Sequence, residues 1–272
     1  MGSEMIHHPE HGTTGTDYGK LVDAGFSDRY LSTFYTEIVQ DEVQLAEFLA
    51  REYLKVQGMP AMLELGCGPC VSRALQAVPH VSEIVLSDFL PDNREAVLRW
   101  QNKHPAAHNW SDFTRLALEV EGRDASNESV TAREEALREK IVSVQHLDLL
   151  DASPPPNDRK YGVVTAFFCL DSASDSMETW EKVMARAVSL LSPRGNFFAS
   201  FLYDTDHYTI NGTLDGGEDL YQVRLTDVDV RRALEAMGFD RADTVVEVAG
   251  NTDMKAHGYD AIIMVSAARD GI

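Results

Sequence analysis

The chain has 272 residues, 24 of them Lys or Arg and 44 Asp or Glu, for a formal charge of −20. Such an acidic surplus excludes proteins that gain affinity by laying cations on phosphate, nucleic-acid clamps and readers of anionic membranes alike, and points to a small-molecule partner. At 44% hydrophobic and 25% charged, the composition suits a globular protein with one large α/β domain.

Residues 1–16, rich in Gly, Thr and His, carry no periodicity and are expected to form a flexible tail. His7, His8 and His11 are read as part of that terminus, and no metal site is assigned. The opening MGSEMIHHPEHGTTG lacks a basic region followed by an apolar core, and no apolar stretch approaches the ~20 residues of a membrane span, so a cytoplasmic chain is the expectation. Residues 17–272 read as a single domain opened by a helical segment at 17–60. From Asp28 to about Gln57, Ile38, Ala46, Leu49, Tyr53 and Val56 recur at helical spacing, with Glu37, Asp41, Glu42, Glu47 and Glu52 on the other face; Gly58 and Pro60 end the helix.

Short apolar runs then alternate with amphipathic stretches. Strands are predicted at 61–65, 83–87, 141–146, 161–168 and 195–202, with helices at 70–77, 91–103, 131–140 and 176–191. The segment 104–131 is a long insertion, ordered at its start by Trp110, Phe113, Leu116 and Leu118 and loose near 124–129. A helix at 226–237 is followed by strands at 243–249 and 259–267 with no long helix between them, which predicts an antiparallel pair. The fold class is therefore α/β: a doubly wound, mostly parallel, Rossmann-like sheet with a C-terminal antiparallel hairpin and an N-terminal helical lid.

Ligands of such sheets lie beyond the C-terminal strand ends. Gly66 and Gly68 follow the first strand, where glycines let the backbone turn tightly and approach a ligand. The third glycine of a dinucleotide fingerprint is missing, Val71 standing there. Asp88 ends the second strand twenty residues after Gly68, where a carboxylate can accept both hydroxyl protons of a ribose. Asp148 follows the third strand, placed to accept from an adenine amine, and Asp171 follows the fourth as a polar anchor or helix cap. Cys67-Gly68-Pro69-Cys70 spells a dithiol redox sequence, but the surrounding Glu64-x-Gly66-x-Gly68 frame and the distant Asp88 belong to a nucleotide loop. With Cys169 these thiols are too few and too odd in number for a disulfide framework.

These residues resemble those of class I S-adenosylmethionine-dependent methyltransferases. More narrowly, Tyr30-Leu31-x-x-Phe34-Tyr35, Gly66-x-Gly68-Pro69, Ile84-Val85-x-x-Asp88-x-x-x-x-Asn93, Pro105-x-Ala107-x-x-Trp110-Ser111, Cys169-Leu170-Asp171 and Leu191-x-Pro193-x-Gly195 are similar to motifs of the nicotinamide, phenylethanolamine and indolethylamine N-methyltransferase family. The resemblance implies S-adenosylmethionine as cofactor, with no metal. Tyr30 and Tyr35 would close over its methionine end, Gly66 and Gly68 would line its centre, Asp88 and Asn93 would take the ribose side, and Asp148, Leu149 and Phe168 would hold the remainder. Tyrosine suits a sulfonium because its ring face accommodates a cation without losing a proton.

On the substrate side, the nicotinamide enzyme is expected to place an acidic residue where this chain has Phe201, which argues against a nicotinamide pocket. Asp204, Asp206, His207 and Tyr208 follow, a cluster suited to binding an amine or taking its proton. Tyr30, Tyr208, Asp204 and His207 are the catalytic candidates; Phe167, Asp171, Phe201, Tyr208, Thr213, Met254 and His257 form the expected substrate wall. The expected activity is methylation of an amine or heteroaromatic nitrogen. Two alternatives stand beside it: a cyclase that converts the cofactor itself to a four-membered cyclic amino acid, azetidine-2-carboxylic acid, and methylthioadenosine, and a non-catalytic cofactor-binding protein.

Overall fold

A computed structural model describes residues 25–151, 159–210 and 217–269; the tail expected at 1–16 and Thr213 lie outside them. The N-terminal segment forms two helices, α1 (Phe26–Phe34) and α2 (Gln40–Glu52), where the periodicity reads as one. Tyr35 leaves helical geometry at φ −128°, and Val39 is extended at φ −96° and ψ 170°. β-Branched Thr36, Ile38 and Val39 lose rotamer freedom in a helix, which favours the break at this point. The corner swings both Tyr35 and the acidic first turn of α2 inward.

The chain continues through β1 (Ala61–Leu65), α3 (Ser72–Ala77), β2 (Glu83–Asp88), α4 (Pro91–Gln101), α5 (Ser111–Val120), α6 (Asn127–Lys140), β3 (Ile141–His146), β4 (Tyr161–Phe167), α7 (Met177–Ser189) and β5 (Leu191–Leu202). It closes with β6 (His207–Ile210), β7 (Glu218–Tyr221), α8 (Asp227–Ala236), β8 (Thr244–Gly250) and β9 (Ala261–Ala268). Residues 124–129 are not loose: Ser126 caps α6 by accepting the Ser129 amide, and Asp124 accepts both serine hydroxyls. The β6–β7 pair has no counterpart in the sequence reading, because its strands are four residues each and Glu218-Asp219 begins one of them.

Seven strands form the main sheet in the order β3-β2-β1-β4-β5-β9-β8. β3 through β5 pair in parallel, while β9 runs antiparallel to β5 and β8, giving the expected terminal hairpin. Chain order reverses between β1 and β4, the switch point at which sheets of this kind bind ligands. Side chains alternate across the buried strands. Met62, Ile84, Val163 and Phe198 share a core with Phe48 of α2 and Leu75 of α3, whereas Leu63, Val85, Phe197 and Phe201 share one with Trp180 of α7 and Leu234 of α8. Among the described residues no helix is long and apolar enough to cross a membrane.

Candidate active site

After β1 the backbone reverses through Gly66 and Gly68 at φ +57° and +62°, a region that costs residues with a Cβ. A Cβ on Gly66 would lie 2.0 Å from Cys169 Sγ, so the loop after β4 passes too close for any other residue. At the end of β2, Asp88 Oδ2 accepts the Gly68 amide at 2.8 Å, while Oδ1 accepts the Leu90 amide at 2.8 Å and Asn93 Nδ2 at 3.1 Å. A carboxylate has about four acceptor directions. Three are taken, leaving Asp88 about one for a ligand hydroxyl, not the two anticipated. Burial raises its pKa, opposed by the Leu90 and Gly68 amides. Ser27 of α1 donates its hydroxyl to Asn93 Oδ1 at 2.8 Å, tying the N-terminal helix to this carboxylate.

The opposite wall comes from the loop after β3. Asp148 Oδ1 accepts the Leu150 amide at 2.8 Å in a tight turn, and Arg186 of α7 donates to the Leu149 carbonyl. Phe168, at φ +50°, turns out of β4, with the Arg73 guanidinium 5.8 Å from its ring centre. From α1, the rings of Tyr30 and Tyr35 stand 6.0 Å apart, and Tyr35 rests edge-on against Trp110 at 5.2 Å. The insertion thus braces the tyrosine. Burial raises both phenols well above the ordinary range, so they stay protonated.

These groups enclose a cavity of about 330 Å³. Tyr30, Tyr35, Gly66, Gly68, Asp88, Asn93, Asp148, Leu149 and Phe168 all line it, as do the substrate-side candidates Phe167 and Tyr208. A second chamber of about 40 Å³ shares Tyr30, Tyr35, Phe168, Ser172 and Tyr208 with the first and adds Phe34, Asp41, Glu42, Met254 and Tyr259.

Five substrate-side or catalytic candidates lie elsewhere. Phe201 falls on the wrong parity of β5 and packs against Trp180 at 5.9 Å beneath α7, fully buried. Asp171 is fully buried and accepts the Leu202 amide at 3.0 Å, fastening the loop after β4 to the end of β5. Asp204 faces outward and pairs with Arg224 at 3.3 Å. His207 alternates outward from Tyr208 along β6 and pairs with Asp206 at 2.8 Å, Asp206 itself meeting Arg224 at 3.3 Å. His257 contacts the Thr209 carbonyl through Nδ1 at 3.0 Å and packs on Phe34 at 5.2 Å, joining β6 to α1.

Two further charged residues line the cavity: Glu64, named in the sequence only as part of the glycine frame, and Arg73, which has no such signal. Glu64 is buried in β1, its Oε2 has no hydrogen-bond partner among the described residues, and burial raises its pKa to about 8. An acid inside the apolar run AMLEL was the available signal. Arg73 donates through both terminal nitrogens to Glu42, and although burial pulls its pKa down, Glu42 holds it well above the ordinary value. Neither residue of that pair has a revealing local pattern, since they lie 31 positions apart on α2 and α3.

The same architecture occurs in magnesium protoporphyrin IX methyltransferase (ChlM) from Synechocystis PCC 6803, solved with bound SAH: TM-score 0.55, 13% identity, covering 93% of this chain and 100% of that one. The DhpI–SAH complex aligns with TM-score 0.53 at 14% identity, covering 93% and 95%. In sequence, phenylethanolamine N-methyltransferase of Homo sapiens is 27% identical over 186 residues, 67% of this chain and 63% of that protein. Indolethylamine N-methyltransferase of Oryctolagus cuniculus is 26% identical over 185 residues, 66% of each. The match thus spans slightly under two thirds of these relatives' length. The sequence profile of one family covers residues 16–270, and the chain belongs to it: the NNMT/PNMT/TEMT family.

Proposed function

We propose that the chain is an S-adenosylmethionine-dependent methyltransferase acting on an amine or heteroaromatic nitrogen of a small molecule other than nicotinamide. The observation that carries this reading is the cavity at the β1/β4 switch point, where Asp88, the unpartnered Glu64 and two protonated tyrosines converge. That donor and acceptor set fits the cofactor: Glu64 for a cationic amine with N–H donors, Asp88 for a sugar hydroxyl, the Leu147–Leu150 turn with Phe89 for a flat base, and the faces of Tyr30 and Tyr35 for a sulfonium.

When bound, S-adenosylmethionine supplies a methyl group on a sulfonium that is already a good leaving group. The protein's part is to align the acceptor, exclude water and keep the attacking nitrogen neutral. Tyr30, Tyr35, Phe168 and Tyr208 wall off the boundary between the two chambers. The relatives named for amine substrates favour nitrogen as the acceptor atom. Acidic groups reach the second chamber from α2, as Asp41 and Glu42, and not from the end of β5, which favours an acceptor other than nicotinamide. Of the grounds for the cyclase alternative, a missing acidic anchor and the aromatic rings of Phe167, Phe168 and Phe201, these acids weaken the first and the burial of Phe201 beneath α7 removes one ring, while Phe167 and Phe168 line the cavity.

The test is to incubate purified protein with methyl-labelled cofactor, with and without an amine panel, and identify the nucleoside released. Acceptor-dependent S-adenosylhomocysteine is expected. Methylthioadenosine formed without acceptor would establish cyclisation, and tight binding with no product would leave a non-catalytic binder.

A further inference from the structure

α2 opens with two adjacent acids, Asp41 and Glu42, whose residues are only 5% and 6% exposed. Glu42 is neutralised by Arg73. Asp41 Oδ2 accepts a hydrogen bond from the Tyr259 hydroxyl at 2.8 Å across 218 positions of sequence, while its buried Oδ1 has no partner at hydrogen-bond geometry among the described residues. Leaving such an oxygen buried and unpaired is destabilising. Asp41 lines a chamber whose other walls include Phe34, Tyr208, Met254 and Tyr259, with Glu42 and Ser172 also on its wall.

We infer that Asp41 is the anchor for the acceptor's nitrogen, and that the acceptor is a primary or secondary alkylamine, not a heteroaromatic base; this rests on the methyltransferase reading above. The unpaired Oδ1 calls for a hydrogen-bond donor, which an alkylamine offers both as the ammonium that binds and as the neutral N–H left once its proton passes to the Asp41 carboxylate or to solvent before attack, and which a pyridine-type nitrogen does not. With Glu42 and Arg73 cancelling, the ionised Asp41 leaves the chamber one negative charge. Aromatic rings on the surrounding walls suit a cation. At about 40 Å³ the chamber holds roughly three water-sized groups, enough for an ammonium and one or two carbons. The apolar remainder of the acceptor would then extend along Phe168 and Tyr208, the walls shared with the larger cavity. Burial, and next the neighbouring Glu42, raise the Asp41 pKa to about 6, which leaves it largely ionised at neutral pH.

The experiment titrates 2-phenylethylamine, 2-phenylethanol and quinoline by calorimetry into the protein saturated with S-adenosylhomocysteine. The amine is expected to bind at least tenfold more tightly than the other two. Asp41→Asn is expected to erase that preference while holding S-adenosylhomocysteine affinity within twofold, and Tyr259→Phe, which keeps the carboxylate, to retain the preference. Equal affinities in the wild-type complex, or no binding of the amine, overturn the inference. So does a folded Asp41→Asn protein that loses tenfold in S-adenosylhomocysteine affinity, because the carboxylate would then serve the cofactor's own ammonium. If the variant misfolds, the wild-type comparison and Tyr259→Phe still decide. Wild-type protein that fails to bind S-adenosylhomocysteine indicts the methyltransferase reading instead.

Discussion

Gly68 and Asp88 lie twenty positions apart and are joined by one hydrogen bond, the Gly68 amide donating to Asp88 Oδ2 at 2.8 Å. Asp88 is thus a clamp on the glycine turn beside its proposed role as a ligand acceptor. Asp88→Ala removes the acceptor of three donors and strands buried amides, at about 1–3 kcal/mol each. S-adenosylhomocysteine affinity, measured by calorimetry, is expected to fall by about 10–100-fold. Affinity within twofold of wild type would show that neither clamp nor ribose contact matters.

Gly66→Ala tests close approach together with backbone strain. Its Cβ would meet Cys169 Sγ at 2.0 Å and Cys169 Cβ at 2.8 Å, at a φ of +57°. The single variant is expected to lose both cofactor binding and melting temperature. Gly66→Ala with Cys169→Gly removes both colliding atoms but keeps the left-handed cost of roughly 1 kcal/mol. It should therefore regain most of the melting temperature; no recovery would mean the collision is not the cause.

That Gly66, Gly68 and Asp88 share one cavity was legible because the signal is local: a glycine turn after one strand, a carboxylate after the next, each fixed by strand ends. The proposed acceptor side was not. Phe201 and Tyr208 follow each other closely in sequence, yet parity on β5 sends Phe201 under α7 while parity on β6 turns Tyr208 inward. Asp204 turns outward to meet Arg224, from a segment with no periodic signal, and His207 faces outward by alternation along a strand too short to read. Helical periodicity puts Asp41 on the polar face of one continuous helix. Only the break at Tyr35–Val39, with Tyr259 arriving from the far end of the chain, makes it a buried acid.

The pKa of Glu64, raised by burial from its ordinary 4.5 to about 8, predicts a pH signature. The folded protein holds this proton more tightly than the unfolded chain. The resulting stabilisation is complete below about pH 4.5 and disappears as pH rises through 8. Asp41 and Asp171, each raised to about 6 chiefly by burial, act with the same sign but finish earlier. Between pH 6.5 and 8.5 the melting temperature of wild type should therefore fall relative to Glu64→Gln. A parallel pair of curves in that window would contradict an unpartnered buried acid. A cationic ligand favours ionised Glu64, so S-adenosylmethionine affinity should rise with pH toward 8 in wild type and stay flat in the variant.

The Arg73–Glu42 pair joins α3, the helix after the glycine turn, to α2. Glu42→Ala leaves a buried guanidinium without its partner, expected to cost about 3–5 kcal/mol. Replacing both residues by Met removes the stranded charge and should recover most of that loss. Calorimetric melting of the two variants checks this: a double variant as unstable as the single would assign the cost to packing.

Thiol chemistry separates a nucleotide loop from a redox site at Cys67-Gly68-Pro69-Cys70. Burial raises both pKa values, and for Cys67 the nearby carboxylates of Asp88 and Glu64 raise it further. A thiolate is the reactive form. Iodoacetamide should accordingly label the native protein at least ~10-fold more slowly than it labels the urea-unfolded chain, where thiol pKa returns to about 8.5. Since Cys67, Cys70 and Cys169 all line the cavity, saturating S-adenosylhomocysteine should slow labelling further. Rapid native labelling, or a Cys67–Cys70 disulfide by mass spectrometry after mild oxidation, would return this turn to the dithiol class, because only an accessible, acidic thiol gives either result.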